Sequence, residues 1–196
     1  MKVAIFASGN GTNFEILAKK FANNEIMGQI GLLFCDHPDA HVIARAQKYH
    51  IPVKTFTVKE CGGKRLYEEK IMKLLQKFQI DFIILAGYLR VIGPTILANY
   101  DGRIVNLHPA FLPEYPGLHS IERAFADKRQ QTGVTVHFVD AGLDSGPIIA
   151  QEHVPILATD SLETLEQRVH ECEHRLYPQV IKELLPQFNQ KEHNNQ

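Results

Sequence analysis

Five short apolar runs separated by helix-length amphipathic stretches narrow the possible folds more than any other feature of this chain. The runs occupy residues 3–7, 30–35, 53–56, 82–86 and 104–107, and the stretches 13–21, 39–49, 64–78 and 94–99 lie between them. Runs that are apolar at every position, as at 3–7 and 82–86, rather than at alternate ones, predict strands covered on both faces. Joined by helical crossovers, such strands predict an α/β architecture, a mostly parallel sheet with helices on each side. In the stretch 64–78, Leu66, Ile71, Leu74, Leu75 and Phe78 share one helical face, with Lys and Glu opposite.

The rhythm changes after residue 130. TGVTVHFV and PIIAQEHVPI are two extended runs separated by DAGLDSG, which predicts strand, loop, strand and so a mixed sheet with an antiparallel edge. A long helix is predicted from Ser161, opened by Asp160 with Glu163 three residues on. Its apolar positions, Leu162, Leu165, Val169, Leu176, Val180 and Leu184, mostly recur at three and four. The sequence after Pro186 is polar, and residues 189–196 are expected to form a frayed tail beyond a single domain spanning 1–188.

Charge and cysteine usage exclude several classes. With 21 Lys+Arg against 22 Asp+Glu the net charge is −1, and basic residues never run longer than two, so neither nucleic acid nor a membrane surface is an expected partner. Cys35, Cys61 and Cys172 are widely spaced and form no CxxC or Cys/His pattern, so no disulfide framework and no metal site are expected. The opening MKVAIFASGNG lacks the apolar length of a signal peptide or membrane span, and a cytoplasmic location is the expectation.

Three stretches carry chemistry. SGNGTN, residues 8–13, lies between a strand and a helix. It is read either as a tight turn capped by Asn10 or Thr12, or as an anion site on the amides of a helix N-terminus. It lacks both the Gly-Lys-Ser/Thr of a Walker loop and the third glycine of the dinucleotide fingerprint. NLHPAFLPEYPGLH, residues 106–119, places Asn106 and His108 two apart at the end of a strand, so both side chains point the same way. An amide and an imidazole aimed together can serve a developing oxyanion and a proton transfer, or can satisfy one another as loop caps. DAGLDSGP, residues 140–147, exposes Asp144 between Gly142 and Gly146, although spacing does not say that it meets His108. His137 alternates with Val134, Val136 and Phe138 and reads as a core or edge histidine.

Together these stretches resemble the phosphoribosylglycinamide formyltransferase family within the folate formyltransferase superfamily. The resemblance rests on FASGNGTNFE at 6–15, ILAGYLRVIGP at 84–94, NLHPAFLPEYPGLH at 106–119, GVTVHFVDAGLDSGPII at 133–149 and ECEHRLYP at 171–178. It implies a seven-stranded mixed sheet with a Rossmann-like N-terminal half. It also implies transfer of a formyl group from 10-formyltetrahydrofolate, without a metal, to the amine of glycinamide ribonucleotide. By matching position, Asn106, His108 and Asp144 become the catalytic trio, and Gly11, Thr12 and Asn13 the phosphate loop. His170 and Glu173 join the loop on the ribonucleotide, with Glu173 on the ribose. Leu89, Arg90, Val91 and Ile92, together with Asp140, Ala141, Gly142, Leu143 and Asn106, become the folate pocket. Where the family often has Arg, this chain reads Gly63-Lys64-Arg65, so Lys64 substitutes for it or Arg65 is a shifted equivalent.

The resemblance further implies a protonated His108, supported by Asp144, donating toward the oxyanion alongside Asn106. Its nearest rival is a formyltetrahydrofolate hydrolase with water as acceptor. A methionyl-tRNA formyltransferase and a nucleotide- or folate-binding module without catalysis are more distant readings. The expected assembly is a monomer or homodimer.

Overall fold

A computed structural model describes residues 1–193, with side chains through Phe188. The strands are β1 (Lys2–Ala7), β2 (Gln29–Cys35), β3 (Val53–Thr55), β4 (Phe82–Leu85), β5 (Ile104–His108), β6 (Gln131–Phe138) and β7 (Ile148–Pro155). The helices are α1 (Thr12–Ala22), α2 (His41–Lys48), α3 (Lys64–Lys77), α4 (Pro94–Asn99), α5 (Ser120–Ala126) and α6 (Leu162–His193). The strands form one sheet in the order β3-β2-β1-β4-β5-β6-β7. β1 to β5 are parallel, while β6 is antiparallel to both β5 and β7.

The fully apolar runs are explained by two cores, one on each face of the sheet. Val3, Ile5 and Ala7 of β1 pack with α1, α2 and α6, whereas Ala4 and Phe6 pack with α3 and α4. Phe82 and Ile84 divide from Ile83 and Leu85 in the same way along β4, as the two-residue period of a strand requires. Helix α6 is seated by Tyr177, which is fully buried and donates its hydroxyl to the Leu85 carbonyl at 2.7 Å.

Helix α5 has no counterpart among the elements expected from the sequence. Its seven residues follow three prolines, and its N-cap, His119, has left-handed backbone and no capping hydrogen bond. Helix α6 continues through Pro178 and Pro186 to His193. The expected tail at 189–196 therefore has helical backbone as far as His193, and residues 194–196 lie outside the described ones. No helix among the described residues is long and apolar enough to cross a membrane.

The strand order fixes where a ligand can enter. From β1 the chain moves outward through β2 and β3, then returns to the other side of β1 with β4 and β5. The loops after β1 and β4 therefore diverge, opening a crevice at the carboxyl ends of those strands.

Candidate active site

A cleft of about 690 Å³ occupies that crevice and extends across the end of β5. Asn106 and His108 project from the face of β5 that carries Ile104, and Ile104 packs with the α3 and α4 core. His137 lies directly opposite Asn106 in the β5–β6 register. The loop joining β6 to β7 folds back over the same face and delivers Asp144, whose φ of 51° is left-handed. Four polar side chains thereby converge from three separate segments.

Their hydrogen bonds define orientations. Asn106 Nδ2 donates to His137 Nε2 at 3.2 Å and to Asp144 Oδ1 at 3.4 Å. His137 Nδ1 lies 2.8 Å from the Phe138 carbonyl, so Nδ1 carries the proton and Nε2 accepts from Asn106. The Gly117 amide donates to Asp144 Oδ2 at 2.7 Å. His108 is 5% exposed, with Nε2 2.9 Å from the Tyr115 carbonyl and Nδ1 3.4 Å from Asp144 Oδ2.

His108 thus stands between two acceptors. Either neutral tautomer sets one ring lone pair against an oxygen, and only the imidazolium donates to both. Burial nevertheless pushes its pKa below the ordinary value, outweighing the upward pull of the Tyr115 carbonyl and Asp144. Burial also opposes ionisation of Asp144, yet the Gly117 amide and the nearby His137 and His108 imidazoles hold its carboxyl at about 2. The free site therefore pairs a firm carboxylate with an imidazole whose protonation burial disfavours. Desolvation thus works against the protonated His108 expected above, while the two acceptors around its ring work for it. An added negative charge in the cleft would favour proton uptake.

The loop after β1 forms one end of the cleft. Gly11 caps α1 with φ 77°, and a Cβ there would overlap the Val42 side chain. The amides of Thr12 and Asn13, in the first turn of α1, have no hydrogen-bond partner among the described residues, which suits an anion. Asn13 Nδ2 donates to Glu173 Oε2 at 2.9 Å, and His170 Nδ1 approaches the same oxygen at 2.9 Å. Glu173, 4% exposed and lining the cleft, keeps Oε1 free as an acceptor. The hydrogen bond to Glu173 raises the His170 pKa against its burial.

Leu89, Arg90, Val91 and Ile92 form the opposite wall. The backbone N–H and C=O groups of Arg90 and Val91 have no protein hydrogen-bond partner among the described residues. Asp140, Gly142 and Leu143 line the same cleft. Asp140 accepts from the Gly142 amide and the Ser145 hydroxyl, both at 2.9 Å, and so shapes its own loop. Ala141 lies between these residues without lining the cleft. Lys64 lines a smaller adjoining pocket of about 330 Å³ with Glu68. Arg65 is directed away, its side chain 77% exposed and paired with Glu69. Of the two basic candidates, Lys64 is the one beside the cleft.

His137 is the site residue that sequence reasoning missed. All of β6 from Thr132 to His137 is buried, so apolar alternation does not separate a core position from a cleft position. His119, by contrast, is an exposed rim residue.

The formyl transferase family model matches residues 1–181. The phosphoribosylglycinamide formyltransferase of Bacillus subtilis is 45% identical over 191 residues, covering 97% of this chain and 98% of that protein. The corresponding Escherichia coli protein is 34% identical over 181 residues, covering 92% and 85%. Among solved structures, the phosphoribosylglycinamide formyltransferase of Bacillus halodurans superposes with a TM-score of 0.92 at 47% identity, over 94% of this chain and 95% of that one. Glycinamide ribonucleotide transformylase 1 of Geobacillus kaustophilus gives 0.92 at 46% identity, over 94% and 98%. By both sequence and fold, the chain belongs to the phosphoribosylglycinamide formyltransferase family.

Proposed function

We propose that the chain transfers the formyl group of 10-formyltetrahydrofolate to the primary amine of glycinamide ribonucleotide, a step of purine biosynthesis. The observation that carries this reading is the convergence of Asn106, His108 and Asp144 midway between an anion-suited loop and a wall of unpaired amides and carbonyls. The ribonucleotide phosphate sits on Gly11, Thr12 and Asn13, with Glu173 and His170 at the ribose. The folate ring lies along Leu89, Arg90, Val91 and Ile92, under the 140–143 loop, with Lys64 toward its outer end.

The amine lone pair attacks the formyl carbon, and the carbonyl π electrons move onto oxygen. The tetrahedral intermediate carries a negative oxygen and a positive nitrogen. Asn106 releases its amide from Asp144 and donates to that oxygen. The negative oxygen favours protonation of the nearby imidazole, so His108 takes up the proton that the attacking nitrogen releases. It exchanges its Nε2 contact with the Tyr115 carbonyl for the oxyanion, and donates to it with Asp144 at Nδ1. The oxyanion electrons re-form the carbonyl as the carbon–N10 bond breaks onto N10, and His108 passes its proton to N10, so the proton lost by the amine ends on the departing folate. His137 holds Asn106 from the far side and does not touch the reacting atoms.

The test is a spectrophotometric assay of tetrahydrofolate release. Release should depend on added glycinamide ribonucleotide and fall about 100-fold or more in kcat for His108→Ala. Equal release without the ribonucleotide would assign the site to a hydrolase, and undiminished kcat in the variant would remove His108 from the mechanism.

A further inference from the structure

Asp36 follows β2 and is 0% exposed, yet it lies outside the converging group described above. Its Oδ1 accepts from the Ser8 hydroxyl at 2.6 Å and lies 3.0 Å from His37 Nδ1. Its Oδ2 accepts from Arg90 Nε at 2.5 Å. Ser8 Oγ in turn accepts from the Leu89 amide at 3.0 Å, and the Ser8 amide donates to the Gly87 carbonyl at 2.9 Å. Two routes therefore run from one buried carboxylate to consecutive residues of the cleft wall. One passes through the Ser8 hydroxyl to the backbone of Leu89, and the other goes directly to the Arg90 side chain.

Burying a carboxylate is costly, and an ion pair seldom offsets that cost beyond what apolar packing would give. The cost is easier to understand from what the carboxylate orients. Tyr88 packs against Phe6 and Phe34 and Ile92 is buried, but Leu89 and Val91 between them are exposed, so little apolar packing holds the 89–91 stretch itself. Arg90 and Val91 both line the cleft, and their backbone groups have no protein hydrogen-bond partner among the described residues. Arg90 also reaches over the Tyr67 ring, and Tyr67 shares a 2.7 Å hydroxyl contact with Tyr88. The loop is tied to the sheet by polar contacts centred on Asp36.

We propose that Asp36 is a positioning residue that presets the cleft wall at Leu89–Arg90 and thereby sets the affinity for the reduced folate. This rests on the folate assignment made above and adds the buried group that holds the folate-facing backbone in place. Asp36 touches neither substrate, so its loss weakens one ligand selectively and leaves the converging Asn106, His108 and Asp144 intact. A preorganised wall binds tightly because the ligand does not have to order it.

The experiment uses Asp36→Asn, Ser8→Ala and the double variant in the full chain. Asn at 36 can still accept from Ser8, while its amide opposes Arg90 Nε and releases that side chain to solvent. Each single variant should raise the KM for 10-formyltetrahydrofolate about 10-fold, the equivalent of one charged hydrogen bond. The double variant should raise it by about the product of the two, because each substitution cuts a different route from Asp36 to the wall. Turnover at saturation and the KM for the ribonucleotide should stay near the parent values. A parallel rise in both KM values would mark Asp36 as merely structural, and an unchanged folate KM would overturn the proposal outright. Calorimetric titration of 10-formyltetrahydrofolate into parent and Asp36→Asn separates the two levels of inference. A parent that binds the folate but transfers nothing sinks the proposed function, while a tenfold weaker variant still supports the wall assignment. A parent that transfers, with equal binding by the variant, sinks the wall assignment alone.

Discussion

Replacing Asp144 with Asn tests how the site handles charge. Asp144 Oδ2 lies 3.4 Å from His108 Nδ1, and the two side chains are 12% and 6% exposed. At that distance and an effective dielectric of about 20, an imidazolium and a carboxylate attract by about 5 kcal/mol. Asn keeps a dipole but no charge, so about 4 kcal/mol is lost as the imidazolium forms, which corresponds to about a thousandfold in kcat. The ribonucleotide KM should hardly move, because the loop after β1 and Glu173 make no contact with Asp144. The assay is tetrahydrofolate release with each substrate varied separately. A second readout is direct: the His108 imidazole, followed by NMR, should titrate lower in Asp144→Asn, since burial pushes it down and Asp144 is one of the groups opposing that. An unchanged kcat, or a His108 that titrates higher in the variant, would refute the reasoning.

Other perturbations reach different parts of the molecule. Asn13→Ala removes a donor to Glu173 and should raise the ribonucleotide KM about 10-fold while sparing the folate KM; equal losses would reject that division of labour. Gly11→Ala forces a Cβ onto Val42 at φ 77°, costing about 2 kcal/mol and lowering Tm by about 4–8 °C in thermal unfolding; an unchanged Tm would show that the α1 N-terminus yields easily. The Asp144 carboxyl is depressed to about 2 from 3.8, so its contribution of about 2 kcal/mol to stability is present above pH 4 and lost as pH falls toward 2. The stability gap between parent and Asp144→Asn in urea unfolding should therefore narrow through that window, and a widening gap would contradict the sign.

The N-terminal half was legible because all its strands but the edge strand β3 are largely buried on both faces. Each run from 3–7 to 104–107 coincides with a strand to within one residue of where the structure begins or ends it. Asn106 and His108 were legible as a pair for the same geometric reason, since a strand turns residues two apart to one side. The partner of His108 was not, because Asp144 reaches it across 36 positions from a loop in which its own backbone is left-handed. His137 was hidden by its neighbours: Val134 and Val136 point into the α6-side core, and only the pairing with Asn106 puts the imidazole at the cleft. Helix α5 was hidden by its start, where no Ser, Thr, Asp or Asn precedes it to announce a cap.

Tyr177 has a consequence for how this chain can change in length. Its hydroxyl fixes α6 against the end of β4, and Glu173 stands one helical turn before it. One residue inserted between them would shift Glu173 by about 1.5 Å and rotate it by about 100°, turning its carboxylate away from Asn13. An insertion in the connection at 156–161 leaves that register untouched. The ribose end of the cleft is measured from Tyr177 backward along the helix, so length can vary before Leu162 but is fixed between Glu173 and Tyr177.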